Sequence, residues 1–189
     1  MADGIKQPRA TRETLEDQLV TVFKKRGYEG ATLTQLAEST GLGKASLYHH
    51  FPGGKAEMAA VLLRRAVARL QKAAFSRLRK SAPAALRLRQ FVDGFSTYTQ
   101  HGESHCLIVI LAQGSAGEVH GESIAQQFRD WTAALSAVFE ETGQKPRRAG
   151  RSAADLLARL YGNLVTTQLR HDPKAFRRGI KRIKKTLPG

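Results

Sequence analysis

Apolar residues recur at helical spacing along almost the whole chain. Across residues 12–26 they fall at Leu15, Leu19, Val22 and Phe23, one stripe of an amphipathic helix that Gly27 is placed to end. Thr34 reads as the N-cap of a short helix over residues 35–40, with Leu36 and Ala37 facing inward beside Leu33. Gly41-Leu42-Gly43 then breaks the chain. A second short helix over residues 44–50 turns Leu47 inward, with Phe51 packing just behind it, and Pro52-Gly53-Gly54 punctuates its end. A longer helix is predicted from Lys55 toward Lys80, burying Met58, Leu62, Ala66 and Leu70. Another spans residues 84–100, with Leu88, Phe91, Val92, Phe95 and Tyr98 on one face.

The apolar run 106–111 has no partner strand anywhere in the chain, so it reads as buried helix. Residues 114–121 contain three glycines and read as a loop or helix break, before a helix over 122–141. Residues 143–150 read as a basic, proline-containing linker. Residues 152–170 carry a wide apolar face, and Pro173 opens a last, basic helix. The pattern predicts about nine helices and no strands, an all-α fold. It divides into a disordered arm over 1–11, a three-helix domain over 12–62 and a larger helical domain over 63–189.

The formal charge of +15 suits a polyanionic partner. Its distribution weakens that inference. Residues 1–60 carry eight Lys/Arg against seven Asp/Glu, and the excess sits in 61–100 and 141–189. The single cysteine, Cys106, allows no internal disulfide. With no long apolar run and no leader-like N-terminus, a cytoplasmic protein without membrane contact is expected.

Two short helices joined by a glycine-containing turn and braced by a third make a helix-turn-helix, whose second helix fits the major groove of duplex DNA. In Lys44-Ala45-Ser46-Leu47-Tyr48-His49-His50-Phe51, Leu47 and Phe51 anchor the core. Lys44, Ser46, Tyr48 and His49 then face outward with hydrogen-bond donors for phosphate. Ala45 is small enough to let the helix approach base edges. His50 can face outward or pack locally. Lys55, at the start of the next helix, adds charge to an anion-attracting helix end.

These residues carry a specific resemblance. Gly27-Tyr28-Glu29-Gly30-Ala31-Thr32, Leu36-Ala37, Gly41-Leu42, the Lys44-to-Phe51 helix and Lys55 resemble the DNA-binding domain of the TetR family of bacterial regulators. The Pro52-Gly53-Gly54-Lys55 turn is similar to that of its LmrA/YxaF-like branch. The resemblance implies a homodimeric repressor on a partly palindromic operator, released when a small-molecule inducer enters the C-terminal domain. It implies phosphate contacts by Thr32 and Thr34, approach to bases by Ala45 and Ser46, and a backbone grip by Lys44, Tyr48, His49 and Lys55. The C-terminal domain would then bind ligand and dimerise. Phe91, Phe95, Tyr98, Ile110, Phe128, Trp131 and Tyr161 are the candidate cavity residues, and Leu157, Leu164 and Gln168 the candidate dimer contacts.

Other chemistries find little support. Gly43-Lys44 lacks both the upstream glycine and the following Ser/Thr of a phosphate loop. His101, His105 and Cys106 have ligand-like spacing but too few members for a metal site, and no catalytic set stands out. No cofactor, metal or enzymatic activity is expected. The alternative from another class is a small-molecule-binding or protein-interaction helical module without operator specificity. The last helix sets seven Lys/Arg beside Phe176, Ile180 and Ile183. It reads as a solvated face whose apolar side docks on the core, in preference to a membrane-surface helix.

Overall fold

The computed structural model describes residues 11–189. Of the arm expected over 1–11, residues 1–10 lie outside the described residues, and Thr11 is the N-cap of the first helix, its hydroxyl accepting the Thr14 N–H. Nine α-helices follow one another with no strand among the described residues. They are α1 (Arg12–Gly30), α2 (Leu33–Thr40), α3 (Lys44–His50), α4 (Gly54–Ala73), α5 (Ala84–Tyr98), α6 (Leu107–Leu111), α7 (Gly114–Glu141), α8 (Pro146–Arg170) and α9 (Pro173–Lys185).

The first three helices and the start of α4 enclose a small core of Leu15, Leu19, Phe23, Leu36, Leu47, Phe51, Met58 and Leu62, all essentially inaccessible to solvent. Gly27, expected to end α1, instead kinks it at φ 70°, and the helix resumes to Gly30. The N-cap of α2 is Thr32, not Thr34. Its hydroxyl accepts the Gln35 N–H, and the Gln35 side chain answers the Thr32 N–H, a reciprocal box that outcompetes a cap two residues later. Gly41 ends α2 in the left-handed conformation at φ 66°.

Helix α4 stops at Ala73, short of the predicted Lys80, and a 3₁₀ turn over Phe75–Arg79 turns Phe75 and Leu78 into the core. The reason lies in α5, which crosses at this point. A Cβ at Gly94 would lie 2.1 Å from the Ala73 carbonyl oxygen, so only glycine permits the crossing. Buried Arg87, from the same helix, donates to the Leu78 carbonyl at 2.8 Å and pairs with Glu141.

The break expected over 114–121 is continuous helix, and the linker expected over 143–150 shrinks to the four residues 142–145 between α7 and α8. Residues 114–121 form the first turns of the 28-residue α7, and Pro146 begins α8 at a first-turn position that proline tolerates. Helices α7 and α8 pack along most of their lengths, and α9 docks through Phe176, Ile180 and Ile183 with its cations turned outward. No described helix is long and apolar enough to cross a membrane.

Two glycines separate close approach from mere tolerance. Gly94→Ala is expected to destabilise by about 3 kcal/mol, because backbone must move. Gly121→Ala has open space around its Cβ and should stabilise α7 by about 1 kcal/mol. Paired urea melts of the two variants check both signs.

Candidate nucleic-acid interface and ligand cavity

Helix α3 is held from beneath by Leu47 and Phe51, both fully buried. Lys44, Ala45, Ser46, Tyr48, His49 and His50 are all exposed, so one short helix presents an uninterrupted polar face. His50 therefore faces outward, its ring 5.8 Å from that of His49. The Tyr48 ring lies over Gly54. Gly54 has φ 63°, and a Cβ there would meet the ring at 3.3 Å. The Pro52-Gly53-Gly54 turn thus serves both a left-handed backbone and the seat of Tyr48. Thr32 and Thr34 are exposed at the start of α2.

Lys55 is placed differently from the expectation of a free anion-attracting group. Its amine donates to the Tyr28 carbonyl at 3.1 Å and sits 4.4 Å from the centre of the Tyr28 ring. It braces the turn after Gly27 against α4.

The three-helix head is tied to the rest of the chain at three places. Arg65 of α4 meets Glu13, Glu16 and Asp17 of α1 at 3.0–3.4 Å, and Arg69 joins Asp17 at 3.1 Å. Lys24 donates to the Ser104 hydroxyl at 2.7 Å, and burial lowers its pKa. At the far end of α1, the Glu29 carboxylate accepts the Ser115 N–H at 2.9 Å and its hydroxyl at 2.6 Å. That places a negative charge at the start of α7, where the helix dipole favours it. These two hydrogen bonds from Ser115 hold the Glu29 pKa below its ordinary value.

A cavity of about 580 Å³ lies between α4 and α7. Leu63, Val67, Phe75, Ile108, Ile124 and Trp131 form its apolar wall, and Arg64, Gln71, Arg79, His120 and Asp130 its polar points. The Trp131 indole N–H donates to the Gln71 side-chain oxygen at 3.3 Å, and its ring stacks on Phe75.

Of the seven expected cavity residues, Trp131 alone lines this space. Phe91 and Phe95 are core residues, sealed by Phe75 and Tyr161. Tyr98 sits at the head junction near Lys24 and Arg69. Ile110 is half-buried on α6. Phe128 and Tyr161 instead line a shallow apolar groove between α7 and α8, together with Leu157 and Val165.

Two of the three expected dimer contacts are likewise committed inside one chain. Leu164 is in the core, and the Gln168 side chain donates to the Ser104 carbonyl at 3.2 Å. The exposed apolar residues that sequence reasoning missed on α8 are Val165 and Leu169, the latter 76% exposed. The broad apolar face of the sequence contained both. Spacing alone did not say which side of the helix the chain itself would cover.

Cys106 is buried, and burial pushes its thiol pKa up. Among the described residues no three His, Cys, Asp or Glu side chains converge as metal ligands.

A short helix with a polar outer face, braced by two neighbours and joined by a glycine turn to one of them, defines a helix-turn-helix DNA-binding protein. Residues 17–62 match the model of the bacterial regulatory proteins, tetR family. The chain is 23% identical over 159 residues to the transcriptional regulator LmrA of Bacillus subtilis, covering 82% of this chain and 85% of the relative. It is 41% identical over 44 residues to IcaR of Staphylococcus aureus, a negative transcriptional regulator of the biofilm operon, covering 23% of this chain and 24% of the relative. The fold is similar to that of a TetR regulator from Legionella pneumophila, with TM-score 0.78 and 17% identity over 98% of this chain and all of that one. A TetR-family regulator from Agrobacterium tumefaciens gives TM-score 0.74 and 16% identity over 95% of this chain and all of that one. Residues 17–62 thus match the DNA-binding domain of the tetR family, and most of the chain is similar to a transcriptional regulator, which supports a DNA-binding transcriptional regulator.

The Glu29 contact has a pH signature. A carboxylate with a depressed folded-state pKa stabilises the fold above its ordinary value of 4.5 and loses that contribution as pH falls through the folded-state value. Glu29→Gln should therefore lower the melting temperature at neutral pH. The gap from the parent should close progressively below pH 4.5. A gap that persists at acid pH would rule out the carboxylate as its source.

Proposed function

We propose that this regulator is a homodimeric repressor that grips a partly palindromic operator with two copies of α3. A small molecule in the cavity between α4 and α7 releases it. The observation that carries this reading is the position of the cavity. Both of its walls are helices tied to the DNA-reading head, α4 through Arg65 and α7 through Ser115. A ligand that spreads the two walls changes the angle of the head, and ligand and DNA then disfavour one another. Repression is supported by the likeness to IcaR, which is named a negative regulator.

On DNA, Ala45 and Ser46 approach base edges while Lys44, Tyr48 and His49 hold phosphates. Thr32 and Thr34 meet the backbone from the start of α2, and Lys55 acts as a brace. One seven-residue helix reads too few bases for a specific site, so two heads are needed. The groove lined by Phe128, Leu157, Tyr161 and Val165 on α7 and α8, continued by Leu169, supplies a self-complementary apolar face for pairing two chains.

Anisotropy titrations against DNA from upstream of the protein's own gene, beside a shuffled control, test the reading. Lys44→Ala with Tyr48→Phe should weaken binding on both DNAs and reduce the salt slope by about 1 for each phosphate no longer neutralised. Unchanged affinity would overturn the docking face. Val165→Asp with Leu169→Asp should shift the protein to monomer in sedimentation and abolish operator preference. A double variant that remains dimeric would place the interface elsewhere.

A further inference from the structure

We propose that the cavity between α4 and α7 takes an amphipathic organic anion, with an apolar body and one acidic group. This rests on the reading of that cavity as the ligand site.

The wall sets the body. Leu63, Val67, Ile108 and Ile124 offer aliphatic surface, and Phe75 and Trp131 bury one another's faces by stacking. A volume of about 580 Å³ suits a small molecule rather than a macromolecular segment. Trp131 has spent its one polar hydrogen on Gln71. This part of the wall therefore asks for apolar contact and adds no donor.

The polar points set the charge. Arg64 and Arg79 both line the cavity and are exposed, and neither guanidinium has a carboxylate or hydrogen-bond partner among the described residues. The cavity's single carboxylate, Asp130, already accepts from the Gln126 amide at 2.8 Å. Charge therefore favours an anion over a cation at this cavity. Residues 61–80 carry seven Lys/Arg and no Asp/Glu, which strengthens the bias. A guanidinium presents forked donors that match carboxylate, sulfonate or phosphate oxygens. His120 adds a further polar atom, its Nε2 buried without a partner.

The test titrates the full chain with dodecanoate, dodecan-1-ol and dodecylamine, each below its micelle concentration. Two readouts are followed: emission of Trp131, the only tryptophan in the sequence, and the melting temperature. Dodecanoate should bind about tenfold more tightly than the alcohol, the worth of one charge-assisted contact. The amine should bind more weakly still. Arg64→Gln or Arg79→Gln should remove the margin. Arg77→Gln, an exposed cation outside the cavity wall, should keep it. Equal or tighter binding of the alcohol or amine overturns the anion assignment and leaves the ligand cavity standing. An acid preference that survives in the Arg64→Gln/Arg79→Gln double variant also overturns it, because the general positive charge then suffices. No binding of any of the three by either readout overturns the ligand cavity itself.

Discussion

The structure depends on α4 being one unbroken rod shared by two cores. Its first turns complete the head through Met58 and Leu62, and its later turns bound the cavity through Leu63, Val67 and Gln71. Twenty helical residues span about 30 Å, so a single element reaches from the core of the head to the wall of the cavity. Arg65 and Arg69 fasten α1 to the middle of this rod. Five charges within hydrogen-bonding reach hold better than an isolated surface pair, because the geometry of each contact is fixed by the others. The head therefore follows α4 in place of hanging from a flexible linker.

Helix α7 is the second member of the joint. The Glu29 carboxylate at its N-terminus joins the tail of α1 to the opposite wall of the cavity. One three-helix head is thus held by both walls of the same space. Electrostatics divides the labour further. The head is nearly neutral overall, so its grip on DNA relies on where donors point, and the positive excess lies in the body behind it.

Much of this was legible in the chain. The reading head was written locally, in Leu47 and Phe51 four residues apart and in glycines at the breaks, so periodicity and turn chemistry sufficed. The failures share one cause, in that tertiary neighbours decide them. Residues 114–121 look like a break because of three glycines. In the fold Gly117 lies inside an intact helix, and a Cβ there would lie 2.5 Å from the carbonyl oxygen of Ala112 in the turn before α7, a reason of packing rather than of helix breaking. Pro146 looked like linker and instead opens α8. The aromatic stripe of Phe91 and Phe95 looked like a cavity lining and is solid core, since hydrophobic spacing marks burial without saying whether space or side chain lies beyond. Arg64 and His120 gave no signal in one dimension, because they come to line one cavity only once α4 and α7 are packed.

Cys106 sits where oxidants and other thiols do not reach it, and its burial disfavours the reactive thiolate. As the chain's sole cysteine, it leaves no surface thiol to crosslink one molecule to another. A disulfide between two copies of this chain is thereby disfavoured, so the pairing proposed above rests on the non-covalent contacts of the faces themselves.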